Sequence, residues 1–545
     1  MFAVETPQKA TTKAAAETKR AGSSIGNAPA ISLNTQYSDS ITEDGENDYY
    51  KFTLPASGRI NLKSTLYMRH IYIKIFDSTG AEIWDSSQYW NATTQQISCD
   101  EIIDLTSGTY YICFEENGYT GKYNFRLNFT SANESFKEGN GGSNNSLASA
   151  NSISTGKAYY GQIAENDDMD YYRFSLTNSG RVNLKSTLYL RWAYIKIFDE
   201  AGQTVWSDYM GWDSTTQQIS CDELIDLTSG TYYICFEENG YTGNYNFRLN
   251  FTSANESFKE GNGGNNNTIP VADGISLGKP YRGQIAENDE KDFYRFSVSS
   301  MGKIRIRLSS VANLYLSLYD ASGERVDSWY VYTDSSKGRA DLDEIIELEK
   351  RGIYYFCVED YETGSYSFSI SSFTPSIQVK TSFKKTYGAS DFYLNAKSND
   401  EDADFLYSSS NRKVASVSSY GGVTIGKPGT ATITIRIKGT SVTKKVKITV
   451  VPRRASLVKV KKGKRSLKAI WLRDRTATGY QIVAATNKKF TKNKKTATVS
   501  KNRTTSKTIR KLKRKTYYVK VQAYKKVGKI KLYGTYSKTK KAKVR

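Results

Sequence analysis

Histidine is almost missing from this chain: His70 is the one copy in 545 residues. With no second histidine and no nucleophile motif, Ser/His and Cys/His catalysis are excluded. The residue 122 positions after His70 is Trp192, in a near copy of the same segment. A place that accepts tryptophan does not need a general base. Cysteine is also sparse, at five, with no CxxC and no Cys/His cluster, which excludes thiol catalysis and soft-metal binding. No apolar run approaches the ~20 residues that a membrane-spanning helix needs. Proline is rare, at 8, whereas tyrosine is abundant, at 41, and that balance leans towards strands. Acid is lacking in one region only. From Val451 to Arg545 there are 33 lysines and arginines and a single acid, Asp474, a net +32. The rest carries 44 basic and 54 acidic residues, a net −10. Two electrically different parts share one chain.

An internal repeat organises the acidic part. EDGENDYYKF (43–52), AENDDMDYYRF (164–174) and AENDEKDFYRF (286–296) each set an acid before an aromatic pair. That acid is Asp48, Asp170 and Asp292, at intervals of 122 residues. TTQQISCDE and GTYYICFEENGYTG each occur twice, and the third copy is divergent. Within the copies the period is two. Tyr123, Phe125, Leu127 and Phe129 alternate with polar residues, as do Ile71, Ile73 and Ile75. SG, TG and NG turns punctuate the strands. An all-β chain of tandem antiparallel sandwiches, five in number, is expected.

The order of NNSLASANSI (144–153), GQIAENDDMDYYRFSL (161–176), IKIFDEAG (195–202), LTSGTYYICF (227–236) and GNYNFRL (243–249) resembles the bacterial pre-peptidase C-terminal (PPC) domain, a small jelly-roll-like sandwich. Three copies are expected at 26–130, 147–252 and 268–373, after a flexible tail (1–25) and separated by linkers at 131–146 and 253–267. YSSSNRKVASVSSYGGVTIGKPGTATITI (407–435) resembles a group-2 bacterial Ig-like domain, placed at 374–452. ATGYQIVAAT and LKRKTYYVKVQAY resemble a fibronectin type III module at 453–545, with Trp471 in its core and Tyr517 as a tyrosine corner.

The PPC resemblance implies accessory modules of secreted bacterial hydrolases, some of them calcium-binding. In those, the segment before the first strand and the acids of a DxxD turn make the site. Here ANESFKEGNGGSNNS (132–146) and ANESFKEGNGGNNNT (254–268) precede the DxxD turns. They nominate Glu134, Glu138, Asn144, Asp167 and Asp170, then Glu256, Glu260, Asn265, Asp289 and Asp292, as oxygen donors for calcium. The competing reading is a solvated turn whose aspartates cap backbone amides. Repeat one has Gly45 in place of the first Asp and no acid upstream. Catalytic carboxylates are not expected in turns of small sandwiches.

Aromatic residues recur between strands: Trp84, Tyr89 and Trp90; Trp206, Tyr209 and Trp212; Trp329, Tyr330 and Tyr332. Flat rings there could stack on a glycan or another extracellular polymer, or could close the end of the core. Collagen-binding PPC domains carry exposed aromatics on the strand matching ICFEEN, where this chain has Cys113, Glu115 and Asn117. The pairs Cys99/Cys113 and Cys221/Cys235 could be disulfides, but Leu342 replaces one member in repeat three and points to a buried apolar position.

Lys461, Lys462, Lys464 and Arg465, with Lys511, Lys513, Arg514 and Lys515, form two basic runs suited to an anionic cell-wall polymer such as teichoic acid. No groove-reading or stacking element accompanies them, so no specific nucleic acid is expected. Ala3 could lie at a trimmed signal-peptide cleavage site. The expectation is a monomeric, non-enzymatic, secreted or surface-bound binding protein of a Gram-positive-type bacterium. The alternative is the accessory region of a secreted hydrolase whose catalytic domain is not in this chain.

Overall fold

The computed structural model describes residues 17–18, 20–139, 141–261 and 263–545. The cleavage-site region around Ala3 lies outside them, as do Asn140 and Asn262. Contacts divide the chain into two compact units that meet between Ser372 and Phe373.

The first unit is three sandwiches with one topology. In repeat one, one sheet orders Gln36–Ile41, Gly121–Ser131, Gly58–Leu66 and Ile97–Leu105, and the other orders Asn47–Leu54, Gly108–Glu116, His70–Phe76 and Glu82–Tyr89. The two-residue alternation decides the faces. In His70–Phe76 the isoleucines 71, 73 and 75 are fully buried and the residues between them are half-buried. Register is conserved between copies: Gly58 faces Leu105, Gly180 faces Leu227 and Gly302 faces Leu348. Each repeat has its own apolar core.

All five cysteines are free and buried. Cys99 and Cys113 sit in opposite sheets. Cys221 faces Ser186, and in repeat three that pair becomes Leu342 facing Leu308, a small, weakly polar couple exchanged for a larger apolar one. Cys113, expected outside, is covered by Tyr49, and burial pushes its thiol up to about 12.

Of the expected tail, the described stretch just before residue 26 is docked. Gly22 bridges Tyr49, and the Ala21 amide donates to Asp39 at 2.8 Å. The expected linkers are folded too. Phe136 stacks on Tyr159 at 5.9 Å and packs against the second core, and Phe258 repeats this against Tyr281 at 5.7 Å.

In the second unit, Ser382–Thr386, Thr443–Val451, Gly429–Ile437 and Phe405–Ser409 form one sheet opposite a three-stranded sheet of Phe392–Tyr393, Gly422–Ile425 and Ala415–Val417. Their core is valine and isoleucine. The final sandwich pairs Leu457–Gly463, Ser466–Trp471 and Ser506–Arg510 against a sheet centred on Gly479–Ala485 and Thr516–Val527. Trp471 is buried, and the Tyr517 hydroxyl accepts the Lys513 amide at 3.3 Å, four residues upstream, as in a tyrosine corner.

Candidate functional site

Two places in the first unit carry unusual chemistry. The first is a buried carboxylate cluster, present twice. Ligand atoms of Glu138, Asp167 and Asp170 all lie within 4.8 Å of one another, and so do those of Glu260, Asp289 and Asp292. All six residues are buried. The turn is tied by Ala164 and Asp167, which exchange backbone bonds of 3.1 and 3.0 Å. The linker folds over it, as the Asn144 carbonyl accepts the Tyr171 amide at 2.9 Å. Gly142, at φ 76°, lies against the Asp167 carboxylate so closely that a Cβ would collide with it.

This cluster is electrostatically costly as it stands. Burial lifts Glu134 to about 7, and burial with repulsion from Asp170 lifts Glu138 to about 11. Burial also lifts Asp167 to about 6 and, helped by the Asp167 charge, holds Asp170 well above the carboxylate range. Asp170 has one oxygen bonded, to the Tyr245 hydroxyl, and Tyr245 is joined to Tyr172 at 2.8 Å. Its other oxygen has no partner, nor do one oxygen each of Glu134, Glu138 and Asp167 and the side-chain oxygen of Asn144. Three orphaned carboxylate oxygens in one cluster, with those of Asn144 and Glu134 on the linker that covers it, suit a hard cation with all-oxygen ligation, the chemistry of calcium. Solvated capping aspartates would not be buried in this way.

Of the residues nominated from the sequence, the structure brings together Glu138, Asp167 and Asp170, and Glu260, Asp289 and Asp292, with Glu134 and Glu256 outside these groups. Asn265 is exposed; Asn266 is the buried residue with the orphaned oxygen, because the register sets Asn266, not Asn265, at the place of Asn144. The same 122-residue step that relates Asp170 to Asp292 marks it. Repeat one is built differently. Asp39 stands where the later repeats have Gly161 and Gly283, and it accepts the Tyr50 hydroxyl at 2.9 Å. Asp48 takes Tyr123 at 2.5 Å, and among the described residues no three-acid group of the later kind forms here.

Both clusters sit on joints between repeats. Ser107 of repeat one donates to the Glu138 carbonyl, and the Gly141 amide donates to Thr106 at 3.0 Å. Asn166 donates to Thr106 at 3.0 Å and to Tyr110 at 3.1 Å. Gln162 donates to Asp104 at 2.9 Å, beside the Arg59–Asp104 ion pair of 2.8 Å. The second joint repeats these contacts with Ser229, Thr228, Asn288, Gln284 and Asp226.

The second place is an exposed aromatic shelf on the edge of each repeat. In repeat one His70 stacks on Tyr89 at 4.2 Å, tilted 13°. In repeat two Trp192 stacks on Tyr209 at 5.3 Å and 11°, and Tyr194 lies beside Tyr209 at 4.6 Å. In repeat three Tyr315 lies beside Tyr330 at 4.6 Å, and Tyr330 and Tyr332 are near-parallel at 6.3 Å. Tyr89, Tyr330 and Tyr332 are each at least 60% exposed. The tryptophans behave otherwise: Trp84, Trp90, Trp206, Trp212 and Trp329 are partly buried and pack on the cores. They close the sandwich, so their expected stacking role is withdrawn. Arg69 lies over Trp90 at 5.4 Å and Arg191 over Trp212 at 4.9 Å.

Tyr89 and Tyr209 are also not equivalent. Tyr89 faces His70, and at that pair repeat two has Gly211 facing Trp192. A Cβ at Gly211 would collide with the Trp192 ring. A small ring on its direct partner is exchanged for a large ring that lies over glycine and stacks on Tyr209 instead. Sequence reasoning missed Trp192, Tyr194, Tyr315 and the exposed Tyr119, Tyr241 and Tyr361. The His70-to-Trp192 exchange was the available signal, since both are flat rings.

Of the basic runs, the structure brings Lys464 and Arg465 together with Lys511 around one cavity, joined by Arg510. Lys461, Lys462, Lys513, Arg514 and Lys515 are exposed nearby in sequence but do not line it.

Two family models match parts of the chain. Residues 393–450 match the bacterial Ig-like domain (group 2), and residues 54–124 match a secretion system C-terminal sorting domain. The second agrees with a secreted protein; the expected Gram-positive-type origin draws no support from it. A search of curated proteins gives no match. Among solved structures, the pre-peptidase C-terminal domain of a Bacillus anthracis collagenase is 21% identical, covering 18% of this chain and 94% of its own, with a TM-score of 0.15. The FN1–FN3 domains of chicken CNTN1 are 14% identical, covering 46% and 97%, with a TM-score of 0.17. A titin domain segment is 12% identical, covering 49% and 99%, with a TM-score of 0.18. Among the described residues no helix is long and apolar enough to cross a membrane.

Proposed function

We propose that this chain is a secreted, non-catalytic binding protein whose first unit grips an extracellular polymer through three aromatic shelves. The observation that carries this is the recurrence of a near-parallel, exposed ring pair on the same sheet edge of each repeat, built from different residues and a different pairing each time. Core packing does not call for rings there, because they point away from the core. Neighbouring polar groups, such as Asn239 bonded to Tyr209 at 2.8 Å and Arg325 bonded to Tyr315 at 2.8 Å, hold the rings in place. Rings of this kind suit the flat faces of sugars, so a glycan is the favoured ligand. One shelf alone binds weakly, and three on one chain gain by effective concentration.

Calcium is the structural partner in this reading, held by Glu138, Asp167, Asp170 and Asn144, and by Glu260, Asp289, Asp292 and Asn266, with Glu134 and Glu256 adjacent. The basic C-terminal sandwich contributes affinity for a polyanion. The test is a glycan array probed with the wild-type chain and a Tyr89→Ala, Tyr209→Ala, Tyr330→Ala variant. Loss of signal by roughly tenfold or more, with unchanged melting, is expected. Equal signals from both proteins would remove the shelf reading.

A further inference from the structure

Two runs of cations 45 residues apart in sequence meet at one end of the final sandwich. Ser466 pairs with Arg510 in the register between Ser466–Trp471 and Ser506–Arg510. The Leu512 amide donates to the Arg465 carbonyl at 3.0 Å, which closes the two turns on each other. Between them lies a cavity of about 440 Å³ lined by Lys464, Arg465, Ser466, Arg510 and Lys511. Four cations and a hydroxyl line it, and no acid does. Next to it, a Cβ at Gly463 would fall 2.6 Å from the Ser466 hydroxyl.

Among the described residues no acidic side chain pairs with these cations; the Arg465 amide donates to the Arg545 backbone oxygen at 2.8 Å. The one acid of the sandwich, Asp474, is turned inward and accepts from the amide and hydroxyl of Thr476 at 2.8 and 2.6 Å. Among the described residues, the ion pairs end at Lys438–Asp404, before this sandwich begins. The backbone adds an independent sign. Arg465 and Lys511 both sit in the left-handed region, at φ 46° and 59°. Glycine or asparagine would be less strained at either place than the long side chain held there. The strain falls on two residues that line the same cavity.

We propose that this cavity seats a tetrahedral oxyanion, a phosphate or sulfate ester, of an extracellular polyanion. The inference rests on reading residues 453–545 as polyanion-binding, and narrows it from a diffuse surface to one site. Arginine and lysine together give forked and point donors to the same anion, and Ser466 adds a neutral one. No aromatic ring lines the cavity, so bases would go unread, and a nucleic acid is not the ligand.

The test uses the full chain and two probes, long-chain inorganic polyphosphate and dextran sulfate, across a salt series. One variant removes the site: Lys464→Gln, Arg465→Asn, Arg510→Gln and Lys511→Asn, with asparagine chosen where φ is positive. A control removes equal charge from an exposed loop: Lys488→Gln, Lys489→Gln, Lys492→Gln and Lys494→Gln. The site variant should lose roughly tenfold or more in affinity for at least one probe, and its salt slope should fall by about one to three more than that of the control. The probe affected identifies the ester. Should the site variant fail to fold, Lys464→Glu against Lys488→Glu gives the same contrast. Equal losses in site and control variants overturn the site and leave the polyanion reading standing. No binding by the wild type overturns both. Tighter, site-dependent binding to duplex DNA than to either probe also overturns the assignment.

Discussion

Asp170 and Asp292 are the residues on which the first unit's chemistry turns. Each is fully buried, is held by one tyrosine hydroxyl and keeps one oxygen without a partner. Without a cation, these acids prefer their protonated forms, since burial raises Asp167 to about 6 and Glu134 to about 7, and Asp170 further. The sign follows. Folded values above the unfolded ones mean the folded state holds more protons, so stability is greatest below the unfolded value and falls as pH rises through the folded ones. The chelated protein should therefore lose melting temperature between about pH 5 and pH 8, and calcium should restore it, because the ion replaces the protons. A scan of melting temperature against pH, with and without calcium, checks this; a flat chelated profile and no calcium shift would dismiss the metal reading. Asp170→Asn with Asp292→Asn should raise the chelated stability at pH 8 and abolish the calcium shift, whereas a capping role would predict only loss. Most of this site was legible in the sequence, because an acidic turn and an acidic linker recurred at one interval. Asn266 was missed because three consecutive asparagines offer no local signal for which one points inward, and only the 122-residue step from Asn144 marks it.

At the scale of elements, the loops and edge strands depart from what alternation alone tells. The strand pattern fixed which isoleucines are buried, and the structure agrees at Ile71, Ile73 and Ile75. Alternation says nothing of what lies across an edge, so the sequence left open whether the tryptophans stack on a ligand or close the core; they pack on the cores. Pair register explains the shelf: His70 with Tyr89, Trp192 with Gly211. Gly211→Tyr should therefore displace the Trp192 ring and weaken polymer binding by repeat two while leaving its core intact. Tryptophan fluorescence should shift with little change in melting; an unchanged spectrum and unchanged binding would mean that the shelf tolerates crowding and is not a recognition surface. Gly142 is the corresponding test for the joint loop. Gly142→Ala places a side chain at φ 76° against Asp167, and should cost about 1–3 kcal/mol and remove the first calcium response alone.

For the first unit as a whole, the consequence lies in where the clusters sit. Each uses a turn of one repeat and a segment that is also bonded to the repeat before it, through Thr106 and Ser107 or Thr228 and Ser229. Ordering the cluster therefore orders the joint, and with it the spacing between shelves. Had the segments 131–146 and 253–267 been free linkers, the shelves would act independently, and avidity would be limited by linker entropy. Because the two joints share one bonding pattern, a polymer of regular repeat would meet the shelves at a constant interval. Thr106→Val with Thr228→Val tests this without touching a carboxylate or a ring. Valine keeps the shape but leaves the Gly141 and Gly263 amides and the Asn166 and Asn288 side chains short of an acceptor, costing about 1–3 kcal/mol per joint. The wild-type chain with calcium should melt its three repeats in one calorimetric transition, and chelation or the double substitution should split it. In the split state each repeat keeps its own core, so circular dichroism at low temperature should not change. Polymer affinity should fall towards that of a single shelf. A single transition that persists in the chelated double variant, with full affinity, would show that the cores alone hold the repeats together and that the cation has no part in spacing them.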